Sequence, residues 1–323
     1  MSNKFKIKLI NNPYFSYGIL TEDHKQDVLQ NQNIEYIELY NKCLMKILKH
    51  IYKAKIEVND DILYVLLDEK HVINLTRNDL YFIQSSNDNL FEKIQYGELK
   101  NYFNTSLISL SKNKNKNKEI VFPKFYPTTN YDFYNSEDFE MINWFVYYNY
   151  ISSKYKEKFC KCPISSDELN SKVFKFSSLI LELKLAFNRL RPFQSAFIEN
   201  IDIKTYMSYA GQTPALPSGH SLQGFLFGAF TYFYFKEYYE LLNQLDQTKF
   251  NEEINLLVNI SKDVGNRRVM AGVHYPSDVI ASWLIFCCII KKLKLKSIIK
   301  SYYYLLKNKL NDFINCLKVQ RKN

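Results

Sequence analysis

From Ser136 onward, apolar residues return at every third or fourth position, the spacing that lines up one face of an α-helix. Six helices are predicted on that basis, over about 137–157, 166–191, 218–241, 250–271, 276–290 and 293–318. Breakers are scarce, with 8 Gly and 8 Pro in 323 residues against 26 Tyr and 24 Phe. Few interruptions and many large apolar side chains favour long helices around a substantial core. Ser136-Glu137-Asp138 and Ser165-Ser166-Asp167-Glu168 read as helix starts, each with a hydroxyl to cap and acids in the first turn.

The N-terminal part has another character. It combines a helical stretch at 34–55 with shorter apolar runs such as 62–67, and it carries no catalytic pattern. The segment SKNKNKNKE (111–119) reads as an exposed basic loop, and a Pro/Tyr/Asn-rich stretch follows to Asn135. The expected organisation is an accessory region of mixed structure over 1–135 and an all-α domain over 136–323.

The formal net charge of +10 attracts anions in general, but it comes largely from dispersed lysines. Nucleic-acid binding is not expected, because no reader motif or basic-aromatic stripe is present. The first residues lack the apolar core of a secretory leader, and the longest uncharged apolar run (221–235) is shorter than the roughly 20 residues that span a bilayer. An intracellular protein with its six cysteines as free thiols is expected. A metal site at Cys160-Lys161-Cys162 would need two further ligands, and no nearby His or Cys supplies them. The lysine-rich last helix reads as a packed helix with a solvated basic face, with peripheral membrane contact as the alternative.

Three segments carry groups suited to an anion. In KLAFNRLRP (184–192), seven residues make almost two turns, placing Lys184 and Arg191 on one helix face about 10 Å apart. Pro192 disfavours helical geometry at Arg191 and puts it at the helix end, and Arg189 competes with it as the meaningful arginine. A solvated basic face is the plain alternative. In PSGHS (217–221), Ser218 suits an N-cap ahead of an apolar helix, leaving the amides of Gly219, His220 and Ser221 unpaired at the dipole's positive end and His220 beside any bound anion. The plain alternative is an ordinary capped helix, although PSGH arises by chance in only about one chain of this length in several hundred. In RRVMAGVHYPSD (267–278), Pro276 suits a first helical position, from which Asp278 can reach back to His274. A carboxylate on Nδ1–H would fix the imidazole tautomer and free Nε2 to attack. Simple capping by Asp278 and a core histidine at 274 are the competing reading.

Taken in order, these motifs resemble those of the superfamily that unites type 2 phosphatidic acid phosphatases, class A bacterial acid phosphatases and vanadium haloperoxidases. The resemblance rests on Lys184…Arg191-Pro192, Pro217-Ser218-Gly219-His220 and Arg268…His274…Asp278, and it covers roughly 137–290. It implies a helical bundle of the acid phosphatase/haloperoxidase type and a metal-independent phosphoric ester hydrolase. His274 would be the nucleophile, Asp278 its orienting partner and His220 the general acid and base. Lys184, Arg191, Arg268, Ser218 and Gly219 would bind the phosphate of a small molecule or a lipid head group. With ordinary values near 6.5, both histidines would change charge around neutral pH. One departure stands out: the family serine before Arg268 is Arg267 here, preceded by Asn266. Its bond to the anion is then lost or taken over by Asn266, or the added cation recruits a more acidic substrate. No cofactor is expected. Two other readings share the motifs: a haloperoxidase with vanadate on His274, and a silent anion-binding protein.

Overall fold

The computed structural model describes residues 4–8, 34–59, 62–93, 137–203, 205 and 213–311. Three strands lie in the N-terminal region: β1 (Lys4–Lys8), β2 (Lys55–Asn59) and β3 (Ile62–Leu66). They form one antiparallel sheet with β3 in the middle, Lys4 opposite Leu66 on one side and Lys55 opposite Leu66 on the other. The remaining elements are helical. They are α1 (Ile34–His50), α2 (Glu69–Lys93), α3 (Glu137–Phe159), α4 (Ser166–Phe174), α5 (Ser177–Phe187), α6 (Pro192–Glu199), α7 (Gly219–Tyr234), α8 (Lys236–Leu245), α9 (Gln247–Met270), α10 (Pro276–Lys292) and α11 (Lys300–Lys309). The all-α reading of the chain from Ser136 onward therefore holds, with strands described only before it.

The hub is α7, and its sequence explains why. GHSLQGFLFGAFTYFY is apolar on every side after its first turn, so the helix is stable only when surrounded. It packs against α4, α5, α9, α10 and α11. Glycines bring α9 close: a Cβ on Gly224 would lie 2.6 Å from the Ser261 carbonyl oxygen, and one on Gly228 would collide with Ser261 Oγ and Tyr302 Oη. Alanine normally gains up to about 1 kcal/mol over glycine inside a helix. Here the overpacking cost of about 1–3 kcal/mol should win. Gly228→Ala is thus expected to lower stability, read as a fall in the urea midpoint with unchanged slope.

The buried core runs without a break from α1 residues such as Leu44 and Ile47, through α7 and α10, to Leu306 and Leu310. Within it, α1 packs on α10 and α5, while α2 packs on α6, α9 and α10. The N-terminal helices are thereby laid against the segments that carry the anion motifs. No helix among the described residues is long and apolar enough to cross a membrane. Cys43, Cys160, Cys162, Cys287 and Cys288 are free thiols.

Several expected boundaries are corrected. The helix expected over 166–191 is interrupted after Phe174, and it ends at Phe187, where Asn188 adopts the left-handed conformation (φ 43°, ψ 41°) and its N–H closes on the Lys184 carbonyl. Asparagine tolerates that geometry better than most residues. Lys184 and Arg191 therefore do not share one helix face, because Arg191 is the extended N-cap of α6 (φ −72°, ψ 155°), ahead of Pro192. The helix expected over 218–241 breaks at Phe235, and Lys294, at positive φ, stops α10 so that the last helix begins only at Lys300. The stretch expected over 34–55 stops at His50, and residues 55–59 and 62–66 are strands. The basic loop at 111–119, the stretch to Asn135, the first three residues and the tail from 312 lie outside the described residues.

Candidate active site

The N-termini of α7 and α10 meet, and hydroxyl groups fasten them. Ser218, fully buried, caps α7 by accepting from the Ser221 amide (3.3 Å) and the Ser221 hydroxyl (2.7 Å). Its own N–H donates to the Asp278 carbonyl at 3.3 Å, and its carbonyl accepts from Ser282 Oγ at 2.6 Å. The Ser218 hydroxyl and the amides of Ser218 and Ser221 are thus committed inside the protein, so the Ser221 amide is not the unpaired donor expected from the sequence: the cap itself takes it up. Gly219 is the first helical residue, so its amide stands at the positive end of the α7 dipole.

On α10, Pro276 occupies the first turn as its fixed φ favours, and Asp278 turns back over the helix start. Its Oδ2 accepts from the Tyr275 amide (2.9 Å) and from His274 Nδ1 (3.1 Å). A carboxylate at Nδ1 makes that nitrogen the donor, which leaves Nε2 as the acceptor. Nε2 lies 3.0 Å from Arg191 Nη1 and accepts from it. The other carboxylate oxygen, Oδ1, accepts from Arg189 Nη1 at 2.8 Å. The two arginines weighed against each other in the sequence divide the work: Arg191 faces the imidazole and Arg189 stands behind the carboxylate.

Arg191 is itself firmly held, with Nε donating to the Thr213 carbonyl (2.7 Å) and Nη1 to the Val273 carbonyl (2.6 Å). Lys184, on the last turn of α5, donates to the Pro214 carbonyl. Arg268 is buried in the last turn of α9, where the carbonyl of that residue accepts from the His274 amide at 3.2 Å. Neighbouring Arg267, also buried, is ion-paired through Nε with Asp263 one turn back. The extra cation in the third motif is therefore matched by a carboxylate of its own helix.

The electrostatics of the cluster follow from three cations in one buried place. Desolvation, and then Arg191, Lys184 and Arg268, hold His274 well below the ordinary histidine value. Desolvation and then Arg268, His274, Lys184 and Arg191 do the same to His220, the second residue of α7. Neither histidine titrates near its ordinary value as expected from the sequence, because burial and like charge both disfavour the imidazolium. Burial and Arg191 also push the Lys184 ammonium down to about 7. The structure thus gathers Lys184, Arg191, Arg268, His220, His274 and Asp278 into one interacting group. Such a group is poised for an anion: negative charge placed among these side chains relieves their mutual repulsion.

Residues 173–295 match the PAP2 superfamily. The match covers well under half of the chain and contains all three motifs. It supports a phosphatase- or haloperoxidase-type activity in general; PAP2 proteins are generally phosphoric ester hydrolases that act on phosphorylated small molecules or lipids. No curated protein and no solved structure matches the chain significantly. The PAP2 segment omits α1 and α2, and with them Asp79, whose carboxylate reaches Arg189 and Ser277 behind the site. Nothing in the sequence marks Asp79, since its partners lie 110 and 198 residues away.

Proposed function

We propose that the chain hydrolyses phosphate monoesters of a small molecule or lipid head group through a phosphohistidine on His274, without a metal ion. The observation that carries this reading is the orientation of His274. Asp278 holds its Nδ1–H, and Nε2 carries the lone pair among Lys184, Arg191 and Arg268. The Arg191 bond occupies that lone pair, so attack requires its Nη1–H to exchange Nε2 for a phosphate oxygen. Nε2 then bonds to phosphorus as the ester P–O bond breaks, and His220 gives its proton to the leaving oxygen. In the second step His220 takes a proton from water, the water oxygen bonds to phosphorus, and the P–N bond breaks to release phosphate. The three cations and the Gly219 amide stabilise the charge spread over the equatorial oxygens.

His220 acts as an acid only when protonated, and the surrounding cations oppose that. A bound phosphate dianion offsets them and raises His220 and Lys184 together. Binding should therefore draw protons from solution. At pH 7, Lys184 alone contributes up to about half a proton, because a group with a pKa of about 7 starts half-protonated. Calorimetry with vanadate, a phosphate mimic, in buffers of differing ionisation heat should show net proton uptake. Zero uptake or release would contradict the coupling.

The direct test is phosphate release from an aryl phosphate between pH 5 and 8 in EDTA. Release that persists in the chelator is the expected result. Activity that disappears in EDTA and returns with a divalent ion would refute the metal-free route. Bromide oxidation by peroxide after vanadate loading, with no ester hydrolysis, would assign the pocket to the other chemistry.

A further inference from the structure

Behind the His274–Asp278 pair lies a second buried carboxylate that the three motifs do not account for. Asp79, on α2 of the N-terminal region, is 1 % exposed. Its Oδ2 accepts from Arg189 Nη2 at 3.1 Å and from the Ser277 hydroxyl. Arg189 Nη1 donates in turn to Ser277 Oγ (2.6 Å) and to Asp278 Oδ1 (2.8 Å). The guanidinium lies 3.8 Å above the Tyr275 ring, so its plane is fixed as well as its edges. One cation is thus shared by two carboxylates, only one of which touches the imidazole.

We propose that Asp79 is a positioning residue for the His274–Asp278 pair, holding Arg189 from behind so that Asp278 keeps negative charge for the imidazole. This rests on the reading of His274 as the nucleophile. The charge balance supplies the reason. Arg189 with Asp278 alone is neutral, and its full pull on Asp278 weakens that carboxylate as an acceptor for Nδ1–H. With Asp79 ionised, the group behind His274 carries one net negative charge. The imidazole gains positive charge as Nε2 bonds to phosphorus, and the surplus negative charge stabilises that change. The N-terminal region then does more than cover the bundle: it completes the charge relationships of a site whose motifs all lie elsewhere.

A tether between α2 and α10 would account for the same bonds, and the pH dependence separates the two roles. The groups facing Asp79 are Arg189 from the α5–α6 connection, Tyr275 at the N-cap of α10, Ser277 and Asp278 from α10, and Tyr52 beyond α1. Burial outweighs Arg189 and Ser277 and raises Asp79 to about 6. Asp79→Asn keeps the shape and removes the charge. In the full-length chain it should lower kcat about 10- to 100-fold at pH 8 with KM within about twofold. The ratio of wild-type to variant kcat should shrink toward one below pH 6, where the wild-type carboxyl is itself protonated. A ratio near one at all pH values, or a large ratio independent of pH, overturns the proposal. The proton NMR resonance of His274 Nδ1–H, assigned by its absence in His274→Ala, reads the pair without turnover. If the wild type hydrolyses no ester, the phosphatase reading fails, while a resonance difference between wild type and Asp79→Asn that fades below pH 6 upholds this role, and a difference independent of pH, or none, ends it. Should the variant not fold, the wild-type resonance decides: movement centred about pH 6 supports the proposal, and none between pH 5 and 8 overturns it.

Discussion

His274→Ala is expected to release no phosphate above the rate without protein, a loss of at least about 10⁴-fold in kcat. Among the described residues, no other side chain is placed to substitute. In the proposed mechanism His220 serves as the acid of the same step, and Lys184 has its ammonium on the Pro214 carbonyl. The variant should still fold, because Asp278 keeps Arg189 and the Tyr275 amide as partners. It should also still bind inorganic phosphate, since all three cations remain. Stopped-flow release of phosphate and calorimetric binding, run side by side, check both halves. Turnover within tenfold of wild type would remove His274 from the chemistry and with it the phosphohistidine.

Asp278→Asn should cost about 10²- to 10⁴-fold in kcat, the range seen when a base loses its orienting partner or takes the wrong tautomer. The replacing amide cannot satisfy its neighbours in either orientation. Placing its oxygen toward Arg189 sets its NH₂ against two other donors, the Tyr275 amide and His274 Nδ1–H. Turning it over sets the NH₂ against Arg189 instead. In the first arrangement the imidazole moves its proton to Nε2, and the lone pair needed for attack is gone. A buried donor left unsatisfied costs about 1–3 kcal/mol, so a lower melting temperature should accompany the loss. Single-turnover kinetics on the folded variant make the measurement. A kcat within tenfold of wild type would show that the Asp278 bond to His274 is not what prepares Nε2.

The parts of the site legible in the sequence are those whose partners are a turn apart. Ser218 at its cap position, and His274 and Asp278 on either side of a helix start, lie within local reach of their partners, so residue type and spacing offer these contacts, although simple capping by Asp278 fits the same pattern. Arg191 shows where this fails. Its extended backbone follows from Pro192, but the helix expected to carry it to Lys184 ends earlier, because Asn188 takes a left-handed conformation that many other sequences would not favour. The two residues are joined instead by tertiary packing: Arg191 reaches the Thr213 and Val273 carbonyls, and Lys184 reaches Pro214.

The sequence by itself determined the helical character from Ser136 onward, the apolar central helix and the capped start of that helix, and it put Asp278 within reach of His274. Each depends on contacts within about four residues or on the period of apolar side chains. Only the tertiary structure decided that both histidines lie well below their ordinary value, that Arg189 backs Asp278 while Arg191 faces the imidazole, and that Asp79 reaches them from the N-terminal region. These depend on burial and on charges far apart along the chain. The free energy of an ionised group is set by what surrounds it in space, which no local pattern of residues encodes.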